Sequence, residues 1–487
     1  MNSTNSKILC LSRSYLSKLL PTLGANDNEH EYLHIVQTDK EEGIIQTLGG
    51  KVVLNIQSII RKALADTESP LWEEPEDMRD VTGFNWSALY SDRYLVHFKG
   101  EQRLRIAGVL QHAIEQLFKE HHFSGFLSEP VALFITHITF YQCRKYGTKP
   151  LLWCNTYFSD HFYFAAEADI STPVRRQPLN EQSTQLLDEK IGEYVSGIIC
   201  DKTGPVYHHS FSGTKQNRFG YFKQRRGESP LVLRPGWTSR FIQIARLVRS
   251  TWNRINFRSN GDFMSAGAVS EHKFYLGCLF ASNSIYDTPP QGEIDNNVVY
   301  PLQYEPEASL LYFAPHVINQ ITFVETTLKA LPDKRILWVK EHPNQFGALD
   351  TLSWRKLKAR YSNLRFVHGR QNGRDLIKHS ALVVTISSSM GMDALLLGRH
   401  LLVAGKVFYD QFTGSIRTRS PEILAQELNN PANYQLQDNS NANTQELIKF
   451  GQHAYPGDPQ PSHNLYEPEN LSLLVQAIQT ELNTSPS

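Results

Sequence analysis

Apolar and polar runs alternate between residues 335 and 410 in the order typical of strand, loop and helix. Two short apolar runs that predict buried strands, Ile336–Lys340 and Leu382–Thr385, are each followed at once by a polar loop. The first loop is Glu341–Asn344, the second is Ser387–Asp393, and a third strand at Leu401–Gly405 closes the series. Because ligands of open parallel sheets bind outside the carboxyl ends of the strands, both loops are predicted to lie at one binding edge.

The first half of the chain has the pattern of a separate α/β domain. Apolar residues at helical spacing predict helices at about 101–121 and 132–146. Strand-like runs alternate with them at Lys7–Leu11, Tyr32–Val36, Val52–Asn55, Phe123–Leu127 and Pro150–Cys154. This alternation favours a parallel sheet covered by helices. Further on, a final helix is predicted at 471–482, and the polar, Asn-rich stretch 437–445 is predicted to be an exposed loop.

Length indicates more than one domain. A chain of 487 residues is too long for one hydrophobic core, and a hydrophobic content of 40% is enough for several. We predict an amino-terminal α/β domain at 1–200, a basic and aromatic insertion with a linker at 201–297, and a second α/β domain at 298–450. Residues 451–487 are predicted to form a tail with a crossing helix.

Charge, cysteines and apolar run lengths argue against several classes of protein. Lys plus Arg and Asp plus Glu both number 49, so the overall charge gives no reason to expect a nucleic-acid partner. The 5 cysteines are scattered and indicate reduced core thiols, and no Cys/His cluster has the spacing of metal ligands. No apolar run approaches the roughly 20 residues that span a bilayer, and no signal-peptide core is visible. We therefore expect a cytoplasmic protein without a metal or cofactor.

The loop after the second strand carries groups that suit a phosphate. Ser387, Ser388 and Ser389 offer hydroxyl donors, and the amides at the start of the following helix are predicted to point outward with the positive end of the helix dipole. Gly391 would let the backbone approach a ligand without a side chain in the way. Asp393, one turn into the helix, would reach a sugar hydroxyl beside the phosphate.

The loop after the first strand adds positive charge. Lys340 supplies a compact ammonium group, and His342 is a donor that can also carry charge. Pro343 fixes the chain after His342. Taken alone, a serine-rich helix start is usually a helix cap, and a His-Pro pair is usually a turn. Both loops on successive strand ends favour the phosphate-site interpretation.

These residues resemble the capsule polysaccharide biosynthesis proteins, a family that includes the capsule β-Kdo transferases. The matching segments are Tyr300–Ser309, Lys340–Pro343, Thr385–Leu395 and Gly405–Tyr409, so the resemblance spans about residues 298–412. It implies a GT-B-like α/β fold, with two Rossmann-like parallel-sheet domains facing a cleft, and a CMP-Kdo donor. Asp393 stands where the family usually has glutamate, so the ribose contact that the resemblance implies is one methylene shorter.

The same two loops are similar to those of bacterial sialyltransferases with a His-Pro motif and of teichoic-acid glycerophosphotransferases with Lys-x-His-Pro and Ser-Ser segments. Those families release CMP, so the resemblance implies a cytidine donor. We expect His342, Lys340 and the serine loop to neutralise the departing phosphate. The donor pocket is predicted to be shaped by three further residues, Gln303, Glu305 and Glu307.

Glu129 is the candidate catalytic residue of the first half. It follows a predicted strand and precedes Pro130, so it would lie on the rim that faces the second domain. A carboxylate there could accept the proton of an acceptor hydroxyl or act as a nucleophile. A solvated or helix-capping glutamate is the alternative interpretation, and Asp160 and His161 on the next loop are weaker candidates.

The segment from Lys215 to Arg258 is strongly basic, with eleven Lys or Arg against one acidic residue and with aromatic residues interleaved. Residues 237–254 predict an amphipathic helix. Basic helices with aromatic apolar faces favour anionic membrane surfaces. A helix packed on its domain, with arginines reaching to water, and a basic groove for an anionic glycan are the alternatives. The candidate membrane or acceptor residues are Trp237, Arg240, Arg246, Arg249 and Trp252.

The sequence as a whole predicts a metal-independent glycosyltransferase of capsule or surface polysaccharide synthesis. It would transfer an acidic sugar, Kdo, from a CMP-activated donor to a glycan or lipid-linked primer, at the inner face of the cell membrane and without a nucleic-acid partner. Two alternatives stay open. One is transfer of a polyol phosphate from a CDP-linked donor, and the other is a non-catalytic sugar- or lipid-binding partner in capsule assembly.

Overall fold

The computed structural model describes most of the chain outside residues 201–284. The described residues are 6–66, 68–82, 89–90, 92–174, 181–200, several positions between 241 and 255, 285–290, 294–305, 310, 312–314, 316–317, 319–342, 349, 351–369, 371–437, 439–462 and 464–483. Five of the predicted site residues lie outside them: Trp237, Arg240, Arg246, Glu307 and Pro343.

The described residues divide into two compact units. The first unit takes them from 1–176, 251–269 and 453–487, and the second takes them from 177–250 and 270–452. Each unit has its own sheet and its own buried apolar cluster. The predicted fold class, two Rossmann-like α/β domains, is confirmed.

The first unit contains a seven-stranded sheet in the order β13-β6-β5-β4-β1-β2-β3. Its strands are β1 (Ser6–Leu11), β2 (His30–Val36), β3 (Lys51–Asn55), β4 (Gly125–Ser128), β5 (Lys149–Asn155), β6 (His161–Ala165) and β13 (Tyr455–Pro456). The strands from β1 to β5 pair in parallel, and β6 and β13 extend the edge in antiparallel pairing. The chain order of the parallel part reverses between β1 and β4.

The helices of the first unit lie where the apolar spacing predicts them. The long helix predicted at 101–121 spans Gly100–Glu120, and the helix predicted at 132–146 spans Phe134–Tyr146. In chain order the helices are α1 (Leu16–Asn26), α2 (Asp39–Thr47), α3 (Ile56–Ala65), α4 (Met78–Thr82), α5 (Gly100–Glu120) and α6 (Phe134–Tyr146). Within the described part of the chain, none of the helices has the length and apolar character needed to cross a bilayer.

The second unit contains a six-stranded sheet in the order β12-β11-β10-β7-β8-β9, with every pair parallel. Its strands are β7 (Asn297–Pro301), β8 (Ile336–Lys340), β9 (Leu364–Val367), β10 (Leu382–Thr385), β11 (His400–Val403) and β12 (Ser415–Arg417). Numbered within the unit, this is the doubly wound order 3-2-1-4-5-6, and it reverses between β7 and β10. A ligand crevice is expected at that reversal, which is called the switch point.

Helices cover the second sheet. In chain order they are α7 (Glu181–Ile199), α8 (Gln320–Ala330), α9 (Leu352–Arg360), α10 (Gly373–Lys378), α11 (Met390–Leu396), α12 (Pro421–Leu428) and α13 (Ser440–Gly451). The boundary at residue 200 had assigned α7 to the first domain, whereas the structure places it in the second unit. The reason is local packing, since a Cβ on Gly451 would come within 2.8 Å of Ile191 of α7.

The last helix, α14 (Pro468–Asn483), belongs to the first unit. Its buried Glu481 carboxylate accepts from the Lys149 ammonium at 2.8 Å and from the Tyr455 hydroxyl at 2.5 Å. Gln479 of the same helix donates to the buried Asp27 at 2.9 Å. These bonds, together with apolar burial of Leu474 and Ile478, fix α14 to the sheet.

The prediction of an exposed loop at 437–445 is wrong, because α13 begins at Ser440. Leu447 and Phe450 of this helix are buried, so an apolar face that lies beyond the polar stretch stabilises it. Asn443 is also buried, and its amide donates to the Leu395 carbonyl at 3.1 Å. Asn443, a residue type that is common in loops, is therefore part of the packing of this helix.

Two buried histidines make the first unit sensitive to acid. Burial lowers the pKa of His34 to about 4 and that of His137 to about 3. Below the ordinary pKa of 6.5 the unfolded chain binds protons that the folded chain does not, so stability falls as the pH drops from 6.5 towards 4. The expected loss from His34 alone is roughly 3 kcal/mol.

Urea unfolding at pH 7.5 and pH 4.5 measures this effect. We expect the His137→Leu variant to lose less stability between the two pH values than the wild type does. His112→Leu, at an exposed position on α5, is the matched control and should keep the wild-type slope. If the His137→Leu variant loses as much stability between the two pH values as the wild type does, this histidine is not a cause of the acid sensitivity.

Candidate functional site

At the carboxyl edge of the second sheet, the segment after β7 and the predicted serine loop after β10 meet at the switch point. Gln303 follows β7, and Ser387 follows β10, which is its neighbour across the reversal. The Gln303 side-chain amide donates to the Ser387 hydroxyl oxygen at 2.5 Å. A single hydrogen bond therefore joins the two strand ends between which a ligand is expected in this fold.

A small cavity beside this bond also reaches the loop after β8. Its volume is about 110 Å³. That space suits one polar end of a ligand rather than a whole nucleotide, since ligand pockets usually have about 300–1,000 Å³. The lining residues are Leu302, Gln303, Glu305, Asn319, Gln320, Ile321, His342 and Trp354. Gln303, Glu305 and His342, all predicted from the sequence, thus share one cavity.

Gln320 organises the side of the cavity formed after β7, and the sequence analysis missed it. Its side-chain oxygen accepts from the Gln303 backbone N–H at 2.7 Å and from the Tyr300 hydroxyl at 3.2 Å. Its side-chain nitrogen donates to the Gln303 carbonyl at 3.0 Å and to Glu305 at 2.9 Å. Gln320 is buried at the start of α8, so it fixes both Gln303 and Glu305.

His342 is half-buried and lines the cavity, and its ring packs edge-to-face with the Tyr304 ring, with the centroids 5.7 Å apart. The residue before it, Glu341, is fully buried and accepts from the Tyr286 hydroxyl at 2.8 Å and from the Gly369 amide at 3.4 Å. Gly369 also lies directly under the His342 backbone, where a Cβ would be 2.8 Å from the His342 oxygen. Glu341 therefore holds the strand end from which His342 projects.

Lys340 has a different environment from the one predicted. Its side chain is buried, and its ammonium donates to the Gly369 carbonyl at 2.8 Å and to the Glu341 carbonyl at 3.3 Å. Burial lowers the pKa of Lys340 to about 8, against the opposing effect of Glu341. The prediction of an ammonium presented to a ligand is corrected accordingly, because these carbonyls already hold it beneath the loops.

The serine loop is half-exposed and held at several points. The Ser388 amide donates to the Thr385 hydroxyl at 3.1 Å, and the Tyr409 hydroxyl donates to the Ser388 carbonyl at 2.5 Å. The amides of Met390 and Gly391 donate back to Ser388 at 3.3 and 2.8 Å. The helix-start amides were predicted to point outward, but these two donate within the loop instead.

Gly391 and Asp393 also differ from their predicted environments. Gly391 is buried, and a Cβ there would come within 2.9 Å of the Tyr409 ring, so the glycine makes room for Tyr409 rather than for a ligand. Asp393 is buried and forms an ion pair with Arg374 at 3.3 Å. A ribose contact by Asp393 would have to share that carboxylate with Arg374.

In the first unit, too, a hydrogen bond joins the ends of the two strands between which the chain order reverses, β1 and β4. Arg13 follows β1 and Glu129 follows β4, its neighbour in the sheet, and the guanidinium donates to the Glu129 carboxylate at 2.5 Å. Glu129 keeps a quarter of its side chain exposed. Of the weaker candidates, Asp160 has a positive φ of 58°, and His161 begins β6, where a ring nitrogen lies 2.9 Å from the Ser159 carbonyl.

The described helical positions between 241 and 255 present an exposed apolar stripe. In the sequence its members are three or four residues apart, which is the spacing of an amphipathic helix. They are Phe241, Ile244, Val248, Trp252 and Ile255, each exposed by 46% or more. The first three belong to the second unit and the last two to the first unit. Arg249 is exposed beside them.

The second unit of this α/β protein therefore has a Rossmann-like sheet with a candidate polar site at its carboxyl edge. Residues 283–452, which contain this site, match the family model described as capsule polysaccharide biosynthesis protein. The resemblance to this family that the sequence shows is confirmed over this part of the chain.

Several solved structures are similar to this chain at low identity. The β-Kdo 2,4-transferase KpsC of Thermosulfurimonas dismutans has 13% identity and a TM-score of 0.31, over 73% of this chain and 87% of that chain. The UDP-GlcNAc 2-epimerase of Methanocaldococcus jannaschii has 11% identity and a TM-score of 0.23, over 91% and 99%. A glycosyltransferase of Rickettsia africae has 6% identity and a TM-score of 0.27, over 99% and 100%. No curated protein matches this chain.

Proposed function

We propose that this protein is a glycosyltransferase of capsule polysaccharide synthesis that uses a CMP-activated acidic sugar, Kdo, as its donor. The observation that carries the proposal is the Gln303–Ser387 hydrogen bond at the switch point, together with the cavity that Gln303 and His342 line. The family match over residues 283–452 supports the same class of reaction. In this proposal the acceptor is a surface glycan or a lipid-linked primer.

The proposed chemistry is the transfer of a sugar with CMP as the leaving group. The bond between the anomeric carbon and the phosphate oxygen breaks, and its electron pair remains on CMP. His342 and the hydroxyls of Ser388 and Ser389 donate to the phosphate as this charge develops, which lowers the barrier. With these donors in place the proposal assigns no step to a divalent metal.

The acceptor side of the reaction is assigned to the first unit. The acceptor hydroxyl oxygen forms the new bond to the anomeric carbon, and its proton passes to the Glu129 carboxylate. In the alternative course through a covalent intermediate, the Glu129 carboxylate attacks the anomeric carbon as the bond to CMP breaks. The acceptor oxygen then displaces the carboxylate, and the acceptor proton passes to solvent. The partial exposure of Glu129 at the carboxyl edge of the sheet supports either role.

Nucleotide release by the purified protein tests the donor class. We propose incubation with CMP-, CDP- and UDP-linked donors and an acceptor glycan, followed by analysis of both products. Release of CMP together with a sugar-extended acceptor is the expected result. A phosphate-extended acceptor would identify the polyol-phosphate alternative, tight binding without release would identify a non-catalytic partner, and a preference for UDP donors would overturn the proposal.

The exposed apolar stripe supports attachment to the inner face of the membrane. Large apolar side chains beside an arginine can insert into the headgroup region of an anionic bilayer. We expect the Phe241→Ala/Trp252→Ala variant to sediment less with vesicles that contain anionic lipid, and wild-type binding to weaken with added salt. Leu352→Ala, an exposed leucine on α9, is the control. Equal sedimentation of the double variant and the wild type would exclude this stripe as the anchor.

A further inference from the structure

Arg13 of the first unit donates to Glu129, the proposed proton acceptor. It leaves the carboxyl end of β1 at the reversal of the sheet, where the crevice of a doubly wound fold lies. Its guanidinium is largely buried, with 15% of the side chain exposed, and it contacts Glu129 from the neighbouring strand end. The Arg13–Glu129 pair therefore lies at the switch point of this sheet, where ligands of doubly wound folds bind.

The turn that carries Arg13 is strained and firmly held. Ser14, the next residue, has a φ of 53°, a left-handed conformation that costs energy for a residue with a Cβ. The buried Glu41 accepts from the Ser14 amide at 2.7 Å and from the Gln37 amide at 3.0 Å. Before Arg13, the buried Ser12 shares a hydrogen bond of 2.7 Å with His34. Both sides of Arg13 are thus fixed by buried polar groups.

The contacts of Glu129 distinguish its two oxygens. Oε2 accepts from Arg13 at 2.5 Å, whereas the contact of Oε1 with the Tyr15 hydroxyl is long, at 3.5 Å. Burial alone would lower the pKa of Arg13, and the Glu129 carboxylate outweighs it and raises that pKa. One oxygen is therefore held by a permanent cation while the other keeps a weak partner.

We propose that Arg13 is a positioning residue for Glu129. By binding Oε2, the guanidinium fixes the carboxylate plane and directs Oε1 towards the acceptor hydroxyl, which gives up its proton to that oxygen. A surface ion pair would be worth little and could form anywhere. This pair is largely buried, joins the two strand ends at the reversal, and follows a strained turn. The inference rests on the proposed function of Glu129.

A double-mutant cycle on the rate of transfer tests the inference, because residues that act as a unit give non-additive losses. We expect Glu129→Gln to lower kcat by about 10²-fold or more and Arg13→Gln by about 10- to 100-fold, with the donor KM nearly unchanged. The Arg13→Gln/Glu129→Gln variant should be no slower than Glu129→Gln alone. Arg13→Lys should recover part of the rate, since it keeps the charge but loses the planar fork.

Lys51→Ala is the matched control. Lys51 forms an exposed ion pair with Glu31 at 3.4 Å, at the amino edge of the same sheet, and its loss should leave kcat unchanged. If Arg13→Gln folds poorly because Glu129 has lost its ion-pair partner, the rate of the Arg13→Gln/Glu129→Gln variant can still be compared with that of Glu129→Gln. The double variant removes both charges together, so it leaves no unpaired carboxylate. Additive losses, or a wild-type kcat in Arg13→Gln, would overturn this inference and would leave the proposed function standing. A wild type that transfers from none of the donors would overturn the proposed function and this inference with it.

Discussion

The His342→Ala variant is expected to transfer sugar about 10²- to 10³-fold more slowly than the wild type, because a preorganised donor to developing charge is lost. His342 lines the cavity beside Gln303, and its backbone is fixed by the buried Glu341 and by Gly369. The substitution shortens a half-buried side chain, so the second unit should remain folded. The dissociation constant for CMP should change less than kcat does.

His379→Ala is the control for this experiment. His379 ends α10 at the amino edge of the same sheet, where its carbonyl accepts from Asn297 at 2.9 Å. Its loss should leave kcat unchanged. Near-normal turnover in the His342 variant would remove His342 from the mechanism, whatever the effect on CMP binding.

The Gly391→Ala variant is expected to bind CMP about 10- to 100-fold more weakly and to lose about 1–3 kcal/mol of stability, as overpacked cores do. The new Cβ would lie 2.9 Å from the Tyr409 ring and 3.1 Å from Leu401, so the ring must move. Movement of Tyr409 breaks its hydrogen bond to the Ser388 carbonyl and releases the serine loop. Calorimetric titration with CMP and urea unfolding measure the two effects.

Two further variants distinguish release of the serine loop from a general loss of stability. Tyr409→Phe removes only the hydroxyl bond, which is worth about 1 kcal/mol, so the loss of CMP affinity should be about fivefold. Gly192→Ala, on α7, places a Cβ in open space and should change neither CMP affinity nor stability. If Gly391→Ala binds CMP like the wild type, Tyr409 does not shape the ligand site.

The sequence was sufficient to predict the sheets and the edge at which the site lies. The strands Ile336–Lys340 and Leu382–Thr385 occur with the predicted bounds, because buried strands of a parallel sheet are short apolar runs. The loop after Leu382–Thr385 flanks the switch point, and the loop after Ile336–Lys340 lies one strand further along the same edge. Gln303, Glu305 and His342 came from the family resemblance and from the loop pattern, and the structure places them around one cavity.

The direction of individual side chains could not be predicted in the same way. Lys340 and Asp393 are charged residues at the predicted edge, yet both are buried on protein partners, the Gly369 carbonyl and Arg374. Those partners are distant in sequence, so no local sequence pattern predicts the contacts. Gln320 and Arg13 were missed for the same reason, since a glutamine at a helix start and an arginine after a strand are ordinary surface residues until the sheet order brings them to a reversal.

The crystal structure of the protein with bound CMP tests the central claim most directly. The account predicts that the nucleotide lies at the switch point between β7 and β10, with its phosphate oxygens within hydrogen-bonding distance of His342 and of the Ser388 or Ser389 hydroxyl. A nucleotide bound elsewhere in the second unit, or a phosphate that contacts neither loop, would contradict it.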